Sequence, residues 1–264
     1  MAREPTPRRR QVLKTIPSAA LLPGLASHSA IAGSSRNRGN SVGSVSLTEI
    51  GLADEVTTLL LEGEIDHARR LLDHHDVEHA IDISPIRSND GPGLNGRYSG
   101  SASEAGASLV LYEDNDIYVA SGWIFLRDVV NDIRDAAVVD DACAIVYDSS
   151  EWSSINPTED GVLLTDPEPH NLEYDHYNPN HGAAAKMSLD FFYWPDSSVG
   201  MQTKLQKTNP DDSWVPVKFE YDHTWAWANN YAGSISISLA GGHLSVSLPT
   251  GSSTAWNAEA TAYV

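Results

Sequence analysis

Through the second half of the chain, apolar side chains recur at every second position, run after run, and that period admits one kind of secondary structure. Val215, Val217, Phe219 and Tyr221 alternate with Lys218, Glu220 and Asp222. Successive side chains of a β-strand point to opposite faces, so such a run shows one face to a core and the other to water. Met187, Leu189, Phe191 and Tyr193 alternate with Lys186, Ser188 and Asp190, and Met201, Thr203 and Leu205 continue the theme. Leu109 and Leu111, then Ile117, Val119, Trp123 and Phe125, bring further β-branched and aromatic residues. Ile235, Ile237 and Leu239 are separated from Leu244, Val246 and Leu248 by Gly241-Gly242. Two glycines adopt positive φ without steric cost, which is what a two-residue hairpin turn requires. Pro195-Asp196 and Asn209-Pro210-Asp211-Asp212 mark further turns.

Roughly eight to eleven short strands between such turns predict a mainly β fold, an antiparallel β-sandwich over residues 97–264. A closed barrel is the alternative, because a one-dimensional pattern does not report closure. Helix in this region is expected only as a turn around Val129–Ile133.

Upstream the period changes. Leu52, Val56, Leu59 and Leu60 follow Thr48, a residue able to cap a helix, and Gly63 interrupts the pattern before Ile65, Ala68, Leu71 and Leu72 resume it. Residues 47–83 therefore read as a short helical hairpin. Alone it cannot bury its own apolar face, so it serves either as a packing element or as a pro-segment released near residues 84–97. Residues 84–96, with Pro85, Pro92, Gly91, Gly93 and Gly96, read as a linker, and residues 33–46, rich in Gly, Ser and Asn, as a flexible leader.

Residues 1–32 have the order of an export signal. Arg8-Arg9-Arg10-Gln11-Val12-Leu13-Lys14 precedes an apolar stretch broken by Pro17 and Pro23, and Ala30-Ile31-Ala32 offers small residues before Gly33. Arg9 and Arg10, with a polar residue, two apolar residues and a lysine, resemble the twin-arginine consensus, and cleavage is expected between Ala32 and Gly33. The stretch is too short and interrupted to hold ~30 Å of bilayer, and neither a lipobox cysteine nor a second long apolar run follows. The expectation is a folded product handed to the twin-arginine translocase and secreted, with no stable membrane anchor.

The chain carries 17 Lys+Arg against 36 Asp+Glu, a formal charge of −19. Residues 1–32 hold five basic residues and Glu4, so their removal leaves 12 basic and 35 acidic residues, or −23. Such a surface repels itself in dilute buffer and is screened within a few ångströms at molar salt. It argues against nucleic acid as a partner, because phosphate binding needs clustered Lys and Arg. The one cysteine, Cys143, lies in the apolar run Ala142–Val146 and cannot form an intramolecular disulfide. It reads as a small buried hydrophobe.

The signal, the helical stretch and the acidic β region with its strand Tyr221-Asp222-His223-Thr224-Trp225 resemble a family of uncharacterised haloarchaeal proteins exported by the twin-arginine route. The resemblance implies secretion and a β domain and supplies no activity.

Several clusters contain residue types that carry chemistry. His170, His176 and His181, with Glu173 and Asp175, fall within twelve residues of an expected loop. Imidazole and carboxylate suit zinc and related metals, but the spacing matches no metalloenzyme signature, and no cofactor is predicted beyond a possible Zn or Ca. His67, His74, His75 and His79 lie around the second helix, with His67 and His74 on its polar side. His223 falls on the face of Phe219 and Tyr221, which makes it a hydrogen-bonded core histidine or, oriented by a carboxylate, a general base. Asp114/Asp116, Asp140/Asp141 and Asp211/Asp212 supply oxygens of the kind calcium takes. Among the seven tryptophans, Trp152, Trp194, Trp214, Trp225, Trp227 and Trp256 sit at expected strands and turns; exposed rings there would stack on sugars, buried ones fill the core.

These readings converge on a secreted, salt-adapted, non-catalytic β-sandwich that binds an extracellular or cell-surface ligand through loops and aromatics. A metal-dependent hydrolase built on His170, His176 and His181 is the alternative from the enzyme class, and an immunity or toxin-like interaction protein is a third.

Overall fold

The alternating runs become strands that pair antiparallel into two sheets laid face to face. The computed structural model describes residues 45–86, 102–127, 140–156, 162–165, 171–188, 197–226 and 234–264. Three helices come first: α1 (Leu47–Ile50), α2 (Ala53–Leu61) and α3 (Ile65–His74). The strands are β1 (His79–Pro85), β2 (Glu104–Glu113), β3 (Ile117–Leu126), β4 (Asp141–Val146), β5 (Trp152–Ser154), β6 (Val162–Thr165) and β7 (Asn171–Asn178), followed by β8 (Gly182–Ser188), β9 (Ser197–Lys207), β10 (Pro216–Ala226), β11 (Ser236–Ala240), β12 (His243–Ser247) and β13 (Ser252–Tyr263).

One sheet runs β1-β2-β3-β9-β5, with β6 also on β9; the other runs β13-β10-β4-β8-β7; β11 and β12 form a separate hairpin. None of these sheets closes on itself, so the fold is the sandwich and not the barrel. The core lies between the sheets. Leu109 and Leu111 of β2, Tyr118 and Ile124 of β3, and Met201 and Leu205 of β9 meet Cys143 and Ile145 of β4, Phe219 and Tyr221 of β10, and Ala258, Ala260 and Ala262 of β13. The approach is close where Gly122 of β3 faces β10: a Cβ there would sit 2.1 Å from Cδ2 of Phe219. At the side of the sandwich, Asp82 of β1 accepts a hydrogen bond from the backbone N–H of Thr261 in edge strand β13, at 3.2 Å. An outward amide that could pair with another chain is thereby satisfied.

Both outer faces carry a further layer. The helices cover the β3–β9 face: Val56, Leu60, Ile65, Ala68 and Leu72 are buried in the same core as the strands. Gly200 of β9 lets Leu61 of α2 settle on the sheet, since a Cβ would meet Leu61 Cδ2 at 2.5 Å. On the other side, Ile237, Leu244 and Val246 of the β11–β12 hairpin pack over Ala142, Ala144 and Ala184, small residues that leave room for the extra layer. Its turn is Gly241-Gly242, both at positive φ, as the sequence led one to expect.

Four expectations change. α1 begins at Leu47 after Ser46, whose N–H donates to the Glu49 carboxylate at 2.9 Å, while the Thr48 hydroxyl donates to the Tyr112 carbonyl at 3.0 Å. Thr48 therefore ties the helix to β2 and does not cap it. The end of the expected leader belongs to the fold, because Ser46 is buried and Val45 bridges Val77. Residues 79–83, expected to close the helical hairpin, extend through Pro85 as strand β1, bonded along its whole length to β2. The β-sandwich thus recruits a strand from before the expected linker. Residues 171–178, expected as loop, form β7, with Asp175 an extra residue between Tyr174 and His176. The signal at 1–32, most of the leader and linker, the expected turn at 129–133, and Leu189, Phe191 and Tyr193 lie outside the described residues.

Candidate functional site

The clearest assembly of chemical groups is at the inner ends of β4 and β10. Alternation puts Asp141 and Cys143 of β4, and Phe219, Tyr221 and His223 of β10, on the inner face, with Tyr221 opposite Cys143. Asp141 then meets three donors. Its Oδ2 accepts from the Tyr221 hydroxyl and from Nδ1 of His223 at 2.8 Å, and its Oδ1 accepts from the Thr224 N–H at 2.8 Å. The Thr224 hydroxyl donates to the Asp140 carbonyl at 3.0 Å. The backbone reaches Asp141 because the β10–β13 register slips by one residue between His223 and Thr224. Trp256 of β13 lies against the network, 4.8 Å from the His223 ring and 5.3 Å from that of Tyr221.

A carboxylate orienting an imidazole through Nδ1 is half of a general-base arrangement. Here both side chains are sealed, with 0% of Asp141 and 1% of His223 exposed. Cys143 is no nucleophile either: burial first, and the Asp141 charge second, push its thiol up to about 12, where the thiolate is scarce. What this network does in the fold is tie β4 to β10 and satisfy the buried backbone at a bulge. Alternation places His223 on the correct face but does not say which carboxylate orients it. The partner is Asp141, 82 residues away, and no local signal marks it.

Asp222 points to the opposite, outer face. Burial first, then the charges of Glu220 and Asp141, raise its pKa to about 6. Glu220, beside it on that face, accepts from His243 Nδ1 at 2.9 Å and from the Leu244 N–H at 2.6 Å. These bonds fasten the hairpin to the sheet.

The metal-ligand candidates are placed apart. His176 is on the outer face of β7, opposite Ala184, while His181 sits in the turn after β7. There His181 helps hold the Asp148 carboxyl below its usual range, behind the stronger hydrogen bonds from Ser150. His170 lies outside the described residues. Asp175 pairs with Lys186 at 2.5 Å. Among the described residues no three His, Cys, Asp or Glu side chains gather as a metal site, and those of His67 and His74 are exposed on α3. Asp114 and Asp116 belong to the tight β2–β3 turn, where Asn115 and Asp116 take positive φ. Asp140/Asp141 is absorbed by the buried network, and Asp212 is bonded within its own turn, to Asn209 at 2.8 Å.

The tryptophans divide. Trp123 and Trp152 are core residues, and Trp152 donates to the Pro216 carbonyl at 3.1 Å. Trp214 is different: it is 62% exposed and stands 6.2 Å, ring centre to ring centre, from Tyr263, itself 48% exposed. Trp214 is marked in the sequence by its place at a turn, whereas Tyr263 carries no such mark and is brought beside it by the β10–β13 register. Trp194, Trp227 and the Trp225 side chain lie outside the described residues.

No family model matches the chain, and no curated protein matches it. Among solved structures, one from work on pH-induced modulation of Streptococcus parasanguinis adhesion by Fap1 fimbriae aligns at 12% identity. The alignment covers 70% of this chain and 94% of that chain at a TM-score of 0.28, too low to bear on fold or function. No helix among the described residues is long and apolar enough to cross a membrane.

Proposed function

We propose that this chain is a salt-adapted haloarchaeal protein, exported folded by the twin-arginine route, that works at or beyond the cell surface as a non-catalytic binding module. The observation that carries the reading is the burial of Asp141 and His223 in a tie between strands. The acid–base pair most suggestive of catalysis is spent on the fold. The chain is strongly acidic, and the described residues offer solvent a few exposed large apolar side chains. The basic N-terminal motif and the formal charge of −19 support export into strong salt.

Expression in a haloarchaeal host tests this. The wild-type chain should appear in the medium with Gly33 as its first residue, and the Arg9→Lys, Arg10→Lys double variant should stay in the cells. Equal export of both forms, or retention of the wild type in the cytoplasm, overturns the reading.

A further inference from the structure

We propose that the outer face at the Trp214–Tyr263 end of β10 and β13 is a binding site for a neutral pyranose sugar. This rests on the binding-module reading and names its site and ligand class.

The two rings are fixed by sheet geometry. Pro216 pairs with Tyr263 in the β10–β13 register. Beyond that pair, the Val215 N–H donates to the Val264 carbonyl at 2.9 Å and the Val264 N–H to the Val215 carbonyl at 3.4 Å. Their planes meet at 58°, which leaves ring faces open to solvent and not stacked on each other. A pyranose presents a patch of C–H groups that packs on an aromatic face, with its hydroxyls left to hydrogen-bond at the rim.

Trp214 is also strained. Its φ is +67°, a left-handed conformation that suits Gly or Asn and disfavours a bulky side chain. The turn before it holds the backbone: Lys207 Nζ donates to the Asp212 carbonyl at 2.6 Å, and the Asp212 N–H to the Asn209 carbonyl at 3.2 Å. Core packing does not account for an indole here, since most of it is in water. A strained residue with an exposed ring is the pattern expected where the ring serves a ligand.

Hydrogen-bonding groups follow one step along the same face. Lys218 and Thr261 are the pair after Pro216 and Tyr263, roughly 7 Å along the strands. Lys218 Nζ lies 3.5 Å from Glu259, and the Thr261 hydroxyl reaches that carboxylate at 3.5 Å. Ammonium, hydroxyl and carboxylate together suit sugar hydroxyls, which both donate and accept. Asp211, Asp212 and Glu259 repel an anionic sugar, and molar salt screens the attraction these carboxylates hold for a cationic one while leaving stacking intact.

The test is an oligosaccharide array carrying neutral, amino and uronic-acid sugars, probed in molar salt with the full chain and with Trp214→Ala, Tyr263→Ala and Trp214→Phe. The wild type should bind neutral oligosaccharides, each alanine variant should weaken binding about tenfold or more, and Trp214→Phe should restore part of it. Melting temperatures should stay within a few degrees, and if Trp214→Ala unfolds, the other two variants decide. Binding indifferent to all three variants, binding confined to amino or uronic-acid sugars, or no binding overturns the site. If the wild type binds no sugar yet sediments with cell envelopes, this site falls and the binding-module reading stands; if it does neither, both fall.

Discussion

Asp141 and His223 are 82 residues apart in the chain and joined by a 2.8 Å hydrogen bond in the core, with the Tyr221 hydroxyl and the Thr224 N–H on the same carboxylate. Three donors on one buried acceptor make that carboxylate hard to replace. Asp141→Asn sets an amide N–H₂ or a weaker oxygen against donors, and costs about 3 kcal/mol by loss of a buried charge-assisted network. Denaturant unfolding in molar salt measures it. A loss below about 1 kcal/mol contradicts the structural role.

Asp222 makes stability depend on pH. Its folded pKa of about 6 lies above its ordinary 3.8, so the folded state binds the proton more tightly than the unfolded state. Its contribution is full below about pH 4, falls as pH rises towards 6, and is gone above that. Asp222→Asn should match the wild type near pH 4 and exceed it at pH 7 by about 2 kcal/mol, a figure reduced for the partial exposure of the site. Thermal melts of both proteins from pH 4 to 8 show the gap opening, or its absence.

The helices belong to the folded unit. Leu60 of α2 is 1% exposed within the shared core, so Leu60→Ala should cost about 2–5 kcal/mol. A chain starting at residue 87 loses the helices and edge strand β1 together and should not fold. A shorter extracellular product beginning near residues 84–97 would contradict this.

With a formal charge of −19, self-repulsion should lower the melting temperature in dilute buffer. Raising NaCl from about 0.1 M, where the Debye length is about 10 Å, to 1 M, where it is about 3 Å, should raise it by several degrees. Scanning calorimetry across that series checks the direction.

What the sequence disclosed was periodic and local. The inner face Val215, Val217, Phe219 and Tyr221, and the Gly241-Gly242 turn, follow from alternation and from the conformational freedom of glycine. β1 was hidden because Pro85 and the glycines after it read as a linker, although Pro at the end of an edge strand has no ladder bond to lose. β7 was hidden because the extra residue Asp175 breaks its alternation. The site partners are the least legible. Asp141 for His223, Tyr263 for Trp214 and Glu220 for His243 are juxtapositions made by sheet register and layer packing, and nothing within a few residues of either partner announces them.

In its proposed role this sandwich binds at the cell surface and does no chemistry there. The most direct test of that role is sedimentation of the protein, purified from culture medium in molar salt, with isolated haloarchaeal envelopes, while the supernatant is followed by mass spectrometry. Saturable retention with the envelopes chemically unchanged is the expected result. Absence of retention, or release of a cleavage product that His223→Gln abolishes, would contradict it.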